Sequence, residues 1–314
     1  PTLISESGRA LTSHFSILVF NVLGKTKVKF DAPIANEQEH IIIKNLRETL
    51  NSLKQLEKKG ILETSKLQEA WNDALKFKDD ALVSFRLGYL GLNERAIAEK
   101  LTWACAKAIV DQLPNHKSIP EELMKLKSNL AGIYYSNLSI FRSAPDTWAI
   151  SQLFPVMPIH RLDEHPVNLG EFADLTCDSD GKLGKFINNG QAKSLLELHD
   201  LKENEQYFIG IFLGGAYQEV MGNLHNLFGT TNAAHIRLAN KNGYKVDHAI
   251  RGNTKAEVLK AMEHDPEQLL ENLRLTSEAA IEKGLLKISD AQRLIEHVES
   301  SLRQSTYLQE NKLR

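Results

Sequence analysis

The sequence is poor in cysteine, with Cys105 and Cys177 as the two in 314 residues. Two cysteines cannot form the disulfide framework that stabilises small secreted domains, so a reducing, cytoplasmic setting is predicted. Neither sign of charge is in excess, because 38 basic residues balance 40 acidic ones. This balance argues against a protein that binds nucleic acid or a membrane surface by bulk charge. No apolar run approaches the ~20 residues of a membrane-spanning helix.

What the sequence does contain predicts an α+β fold in four segments. Residues 1–30 contain strand-like runs, and residues 31–139 repeat apolar side chains three and four apart, which is typical of amphipathic helices. Residues 140–252 are β-rich, with prolines that interrupt helices. Residues 253–314 are helical again. Separate runs of strands and helices favour α+β modules over one doubly wound sheet.

Individual elements can also be predicted from apolar runs and capping signals. Thr2–Ser5 is typical of a buried strand, so the chain is expected to begin inside a domain. Asp265 followed by Pro266 is a helix start. The turn at 240–243 is typical of a hairpin. Further strands are predicted at Phe15–Leu23, Ala149–Met157, Phe172–Thr176, Tyr207–Leu213, His235–Leu238 and Tyr244–His248.

A first candidate ligand loop follows the initial strand-like run, in the sequence SESGRA. Gly8 would allow a ligand to approach the backbone, and Arg9 carries a fork of donors suited to phosphate. Glu6 would place a carboxylate beside the same ligand. The alternative is a plain strand-to-helix loop with a surface Glu–Arg pair, because such short motifs often match by chance.

A second candidate is the acidic loop TCDSDG at 176–181. The later Glu of the EF-hand pattern is absent and the flanks are β-like, which excludes an EF-hand. Asp178 and Asp180 could instead hold a cationic substrate, with Cys177 beside them as an acid or nucleophile. Neighbouring carboxylates disfavour the thiolate, which suits a proton donor. The alternative is a tight turn, since Asp, Ser and Gly are turn residues.

A third candidate is the sequence GGAYQE at 214–219, which follows the apolar run Tyr207–Leu213. Glycines at a strand end commonly expose backbone N–H groups to phosphate, and Tyr217 could add a hydroxyl. The spacing matches neither a P-loop nor a dinucleotide fingerprint, so a glycine bend with a packed tyrosine is the alternative.

The remaining chemistry-bearing residues give weaker signals. The 11 histidines are scattered, with no H-E-x-x-H or C-x-x-C pattern to support a metal site. His225 is interpreted as a packing or surface histidine, and Cys105 as a core residue on an apolar helix stripe. Asp146 and Trp148 lie in a loop entering a predicted strand, with no assigned role.

Taken in order, these motifs resemble those of the fold-type III, alanine-racemase-like decarboxylases that use pyridoxal 5′-phosphate (PLP). The nearest likeness is to the biosynthetic arginine decarboxylase family. The segments that carry it are PTLISESGRALTSHFSILVFNVLG, FRSAPDTWAISQLFPVMP, DLTCDSDG and IFLGGAYQEVMGNLHNLFG. The resemblance implies the last strand of a PLP-binding (β/α)8 barrel and the first strand of the β domain in residues 1–30, and an inserted helical bundle at 31–139. It also implies a β-rich, sandwich- or barrel-like domain at 140–252 and a C-terminal helical region at 253–314.

The same resemblance implies roles for the candidate residues. Glu6 resembles the carboxylate that pairs with the pyridinium nitrogen, while Gly8, Arg9 and Tyr217 resemble the phosphate-binding group. Cys177 resembles the residue that returns a proton to the substrate carbon. Asp178 resembles the residue that binds the distal cation of the substrate, with Asp180 assisting.

Several properties of the whole enzyme are also implied by this resemblance. They are conversion of L-arginine to agmatine for polyamine and spermidine synthesis, and a homodimer or larger homo-oligomer in which the CDSDG loop reaches the partner's active site. The Schiff-base lysine of the family lies on an early barrel strand, so an N-terminal barrel half is required and this chain alone is expected to be inactive. Magnesium dependence belongs to the subfamily as well, although no ligand set is visible. Another basic amino-acid decarboxylase, or a non-catalytic assembly or regulatory module, remains the alternative.

Overall fold

The structure is a computed structural model that describes residues 1–26, 30–36, 38–58, 63–113, 119–188, 190–239 and 243–309. The chain divides into two compact units. One unit is Thr26–Gly132, and the other combines Pro1–Lys25 with Ile133–Arg314. The candidate residues all belong to the second unit, which is made of two segments distant in sequence.

The helices, in chain order, are α1 Gly8–Thr12, α2 Ile41–Lys58, α3 Thr64–Arg86, α4 Leu92–Asp111, α5 Glu121–Asn129, α6 Ile140–Ser143, α7 Asp146–Ala149, α8 Gln218–Met221, α9 Lys255–Ala261, α10 Pro266–Glu282 and α11 Ile288–Leu302. The strands are β1 Leu18–Lys25, β2 Gly132–Ser136, β3 Val156–Pro158, β4 Asn168–Ala173, β5 Lys182–Leu183, β6 Phe186–Asn188, β7 Gln191–Lys193, β8 Leu196–Leu198, β9 Tyr207–Ile211, β10 Ala233–Ala239 and β11 Gly243–Ile250.

The unit formed by residues 26–132 is a bundle of α2 to α5. Its core comes from apolar side chains three and four residues apart, such as Ile43, Leu46 and Leu50 on α2 and Leu101 on α4, all of which are buried. Burying one such side chain contributes roughly 1.5–3 kcal/mol. Cys105 lies in this core, where burial raises the pKa of its thiol to about 12.

The second unit is built on a seven-stranded sheet in the order β3-β9-β1-β2-β4-β5, with β8 also paired to β4. Central strand β1 pairs antiparallel with β9, placing Val22 opposite Tyr207. Phe20 on β1 packs edge-on against Phe172 of β4, with ring centroids 5.5 Å apart. The ends of these strands carry the loops that hold the candidate site.

Three sequence predictions about strands are wrong, and a fourth, Phe172–Thr176, is right only at its first two residues, because β4 ends at Ala173. Thr2–Ser5 forms no strand, and Leu3 and Ile4 are more than 90% exposed. A strand depends on ladder partners, and this segment has none in the described part of the chain. Ala149–Met157 is mostly not β either, because Asp146–Ala149 is a helical turn and β3 begins at Val156. The third error lies inside the predicted helical block, where Gly132–Ser136 forms β2 beside β1.

Other predictions are confirmed. Asp265 caps α10 through Oδ1, which accepts the N–H of Glu267 at 3.0 Å, with Pro266 as the first helical residue. The strands β9, β10 and β11 lie where the apolar runs indicated. Residues 240–242 of the predicted hairpin turn lie outside the described residues, but β10 and β11 on either side pair antiparallel. The α+β fold class, with a helical bundle, a β-rich part and C-terminal helices, is therefore confirmed.

Candidate functional site

Two loops hold the phosphate-type candidates and pack against one another. The first is the turn from Gly8 through the short 3-10 helix at Ser13–Phe15. The second follows β9, where the N–H of Gly215 donates to the Ser13 carbonyl at 2.8 Å and the N–H of Gly214 donates to the Ser16 carbonyl at 3.2 Å. These hydrogen bonds bring Tyr217 to Gly8 and Arg9, although the two loops are far apart in sequence.

Arg9 is held in place by a buried carboxylate. Its Nη2 donates to Asp146 Oδ2 at 2.8 Å, and the Asp146 side chain is 3% exposed. Gln218 completes the support, because its Nε2 donates to the same Oδ2 at 2.7 Å and its Oε1 accepts the Asp146 N–H at 3.1 Å. The guanidinium carbon of Arg9 lies 4.9 Å from the Tyr217 ring centroid. The rest of the guanidinium still reaches solvent, because the Arg9 side chain is 37% exposed.

Gly8 and Tyr217 complete this group of side chains. A Cβ placed on Gly8 would lie 3.3 Å from Tyr217 Oη, so glycine keeps the space beside the hydroxyl open. Tyr217 itself has φ +67°, in the left-handed region, and its ring is half exposed. Glu6 is exposed two residues before Gly8 and makes no ion pair within the described residues. The structure therefore brings Gly8, Arg9 and Tyr217 together, with Glu6 nearby in sequence.

The acidic loop is closed by Asp174 at its base. Asp174 Oδ1 accepts the Thr176 N–H at 2.8 Å and the Thr176 hydroxyl at 2.7 Å, while Oδ2 accepts the Ile140 N–H at 2.9 Å. The N–H of Asp174 donates to the Gly181 carbonyl at 2.8 Å. Any side chain on Gly181 would clash with the Asp174 carboxylate. The loop is therefore a closed turn, and the turn interpretation and the site interpretation are compatible.

The closed loop presents Cys177, Asp178 and Asp180 on its outer side. Cys177 is exposed, and its Sγ accepts a hydrogen bond from Asn226 Nδ2 at 3.3 Å. Asp178 is partly exposed, and its Oδ1 accepts the Asp180 N–H at 2.9 Å. The other oxygen, Oδ2, lies 3.4 Å from His225 Nε2. The Asp180 side chain is exposed.

Sequence reasoning missed four residues that contact the candidate site residues: Asp146, Gln218, His225 and Asn226. Asp146 was noted without a role, yet it holds Arg9. His225 does pack, with its ring centroid 4.2 Å from that of Phe141, but it also faces Asp178. Contacts between residues 47 or more positions apart leave no local pattern, so only the fold reveals them. The available hints were that Gln218 follows Tyr217 and that all four residues lie in the segments that carry the family resemblance.

Two further classes of site were sought in the described part of the chain. Among those residues, no three His, Cys, Asp or Glu side chains form a group that could hold a metal ion. None of the described helices combines the length and apolar character that crossing a bilayer requires.

Comparison with known proteins shows what the chain is similar to. Residues 36–127 match the arginine decarboxylase helical bundle domain, and residues 256–308 match the arginine decarboxylase C-terminal helical extension. The chain is 67% identical to a biosynthetic arginine decarboxylase of Prochlorococcus marinus over 310 residues, which is 99% of this chain and 48% of that protein. It is 63% identical to that of a Synechococcus species over 311 residues, 99% of this chain and 47% of that protein.

A solved structure gives the same result. The biosynthetic arginine decarboxylase SpeA from Campylobacter jejuni superposes with a TM-score of 0.75 at 28% identity, covering 96% of this chain and 47% of that one. The chain spans about half the length of the relatives it matches. Its fold class is that of the PLP-dependent, fold-type III decarboxylases. Within that class, the chain matches the C-terminal half of the biosynthetic arginine decarboxylases.

Proposed function

We propose that this chain serves as the C-terminal half of a PLP-dependent enzyme that converts L-arginine to agmatine and CO2. The observation that carries the proposal is the closed loop at 174–181, which presents an exposed thiol directly beside a partly exposed carboxylate. The Asp178 carboxylate can accept two parallel hydrogen bonds from a guanidinium, which suits the distal group of arginine. Asp180 adds a second negative charge on the same side of the loop.

The residues around Arg9 fit the phosphate of PLP. A phosphate dianion requires positive charge and hydrogen-bond donors, and the Arg9 guanidinium and Tyr217 hydroxyl supply both. Because Gly8 has no side chain, the space beside Tyr217 Oη stays open. Glu6 is exposed and would pair with the pyridinium nitrogen of the cofactor. When bound, PLP supplies an electron sink for the negative charge left at the substrate carbon.

The proton required after loss of CO2 would come from Cys177. In this step the S–H bond breaks, a C–H bond forms at the substrate carbon, and a thiolate remains that regains its proton from solvent. Cys177 suits the role because it is exposed and free, whereas Cys105 is buried. Asp178, the next residue, would hold the far end of the substrate so that its reacting carbon meets the thiol.

The complete enzyme requires more than these residues. We infer a homodimer or larger homo-oligomer, with the loop of Cys177 and Asp178 reaching the partner's active site, and an N-terminal barrel half with the Schiff-base lysine. The family resemblance supports both, together with inactivity of this chain alone, a cytoplasmic setting and a role in polyamine synthesis. Magnesium is not part of this proposal, because no three His, Cys, Asp or Glu side chains among the described residues form a group that could bind it.

The test is arginine-dependent CO2 release with added PLP, measured on this chain and on a full-length protein that carries it as the C-terminal half. We expect release from the full-length protein and not from the chain alone. Ornithine, lysine and diaminopimelate are the matched substrates, since a preference for one of them would favour another basic amino-acid decarboxylase. Release from none of the four would contradict the proposal and favour a non-catalytic assembly module.

A further inference from the structure

We propose that Asn226 and His225 are positioning residues for the loop of Cys177 and Asp178, a role that rests on the proposed function. The two residues lie next to each other in the short 3-10 helix His225–Leu227. Each contacts one of the two adjacent loop residues: Asn226 the thiol, and His225 the carboxylate. One turn thus sets both the proton donor and the binding group for the substrate cation.

Asn226 contacts the sulfur with a hydrogen-bond donor. Its Nδ2 lies 3.3 Å from Cys177 Sγ. A donor at sulfur stabilises the thiolate over the thiol, because it satisfies the charge that remains once the proton leaves. The Asn226 amide would therefore lower the barrier to proton delivery and fix the direction in which the S–H group points.

The backbone at this turn supports a functional role for the amide. Asn226 has φ +51° and Leu227 has φ +62°, so two consecutive residues other than glycine adopt the left-handed region. Asn tolerates this region, whereas it is unfavourable for Leu. In this conformation the Asn226 side chain contacts Cys177, and such unfavourable backbone positions cluster at functional sites.

The His225 ring is held in an orientation in which its Nε2 atom faces the Asp178 carboxylate. Its ring packs on buried Phe141 at a centroid distance of 4.2 Å, and its backbone N–H donates to Asn223 Oδ1 at 2.9 Å. The N–H of Asn223 donates in turn to the Phe141 carbonyl at 3.1 Å. Because Phe141 packs against one face of the His225 ring, Nε2 is directed at Oδ2 of Asp178 and orients that carboxylate. The other carboxylate oxygen, Oδ1, accepts the Asp180 N–H.

The C-terminal tail anchors the residues that follow the turn. Tyr307 Oη donates to the Gly229 carbonyl at 2.9 Å, and the Gly229 N–H donates to Thr306 Oγ1 at 3.0 Å. The Tyr307 ring packs on Phe228 with centroids 5.3 Å apart. The C-terminal helical region thereby steadies the turn that holds the loop.

The first experiment measures the reactivity of Cys177 in this 314-residue chain, without cofactor or substrate. Iodoacetamide labelling is followed by peptide mass spectrometry in the wild type, Asn226→Gly and Leu227→Gly. Asn226→Gly keeps the left-handed backbone but removes the donor, so Cys177 should alkylate several-fold more slowly. Leu227→Gly relieves the backbone and keeps the donor, and it should react at the wild-type rate. An unchanged or faster rate in Asn226→Gly would overturn the role of Asn226.

The second experiment separates kcat from KM in the full-length enzyme. Asn226→Gly should lower kcat by about tenfold with little change in the KM for arginine, because proton delivery and not binding is affected. His225→Phe keeps the ring packing but loses Nε2, and it should raise KM about fivefold, with rescue by His225→Gln. Equal changes in kcat and KM, or no rescue, would overturn the role of His225. Absence of arginine decarboxylation in the wild type would defeat the proposed function, and the alkylation rates would still decide the role of Asn226.

Discussion

At the scale of single residues, the two cysteines have opposite environments. Cys105 is fully buried in the helical bundle, where burial raises the pKa of its thiol to about 12, so it stays protonated and inert near neutral pH. Cys177 is exposed and contacted by an amide donor. The proposed proton transfer therefore belongs to Cys177, and Cys105 supplies an internal control.

Replacing the two adjacent loop residues should affect different kinetic constants. In the full-length enzyme, Cys177→Ala should lower kcat by roughly 10²–10⁴-fold, the usual contribution of a general acid. Asp178→Asn keeps the shape but removes the charge, and it should raise the KM for arginine by about tenfold or more. Steady-state CO2 release and agmatine yield are the measurements. Cys105→Ala is the matched control, and a kcat loss in it equal to that of Cys177→Ala would contradict the assignment.

Asp146 is expected to act through Arg9. Asp146→Asn removes the charge opposite the guanidinium but leaves an amide that can still pair with Gln218, so the fold should persist. Because the negative charge that holds Arg9 is lost, affinity for PLP should fall by about tenfold, equivalent to ~1.4 kcal/mol. Titration of full-length apoenzyme with PLP, followed by absorbance, is the check. Asp180→Asn is the control, since the exposed Asp180 side chain does not contact Arg9, and equal PLP affinities in the two variants would disprove the anchor.

At the scale of elements, the cores arise from helix and strand periodicity. In α4, Leu101 is fully buried beside Cys105 in the bundle core. Leu101→Ala should reduce the free energy of unfolding by about 2–5 kcal/mol, the usual cost of such a cavity. Chemical denaturation measures this directly. Labelling of Cys105 by iodoacetamide should also become faster while Cys177 keeps its rate, and unchanged protection of Cys105 would contradict the expectation.

The tail that follows α11 should make stability sensitive to alkaline pH. Burial raises the pKa of Tyr307 to about 12, above the ordinary value of ~10. Between pH ~10 and ~12 the folded state therefore keeps a proton that the unfolded state loses. The stabilisation is complete below pH ~10 and declines as pH rises towards ~12.

The Tyr307→Phe variant has no hydroxyl group to ionise at this position, so it tests whether Tyr307 causes the loss of stability at alkaline pH. Its free energy of unfolding should fall less steeply with pH between pH ~10 and ~12 than that of the wild type. The difference between the two slopes should correspond to about one proton released on unfolding. At pH ~8 the variant should be about 1 kcal/mol less stable, because the hydrogen bond to the Gly229 carbonyl is lost. Denaturant unfolding across this pH range provides the curves. Tyr134 and Tyr207, whose pKa values are also raised by burial, affect both proteins equally. Parallel curves would contradict the assignment to Tyr307.

At the scale of the whole molecule, residues 1–25 join a unit whose other members begin at Ile133. In the sequence, the long helical segment lies between β1 and β2, which are neighbouring strands of one sheet. β1 also pairs with β9, which comes much later in the sequence. That arrangement explains why Gly8 is far in sequence from Cys177 and Tyr217, although all three belong to one unit. The chain spans about half the length of the relatives it matches.

The sequence by itself determined the kind of elements and the candidate residues. Amphipathic periodicity is local, and it predicted the helices around Leu46 and Leu101. The motifs around Arg9, Cys177 and Tyr217 were also visible, because loops rich in Gly, Asp and Arg have a recognisable local composition. Local pattern failed at Thr2–Ser5 and Gly132–Ser136, where strand formation depends on a partner elsewhere in the chain.

The tertiary structure decided which residues act together. The pairings of Arg9 with Asp146, and of Asp178 with His225, join residues 137 and 47 positions apart. A charged or polar side chain on a loop has the same local pattern whether or not a partner faces it. The partner is fixed by the register of the strands that carry the loops, and register is set by burial across the whole sheet.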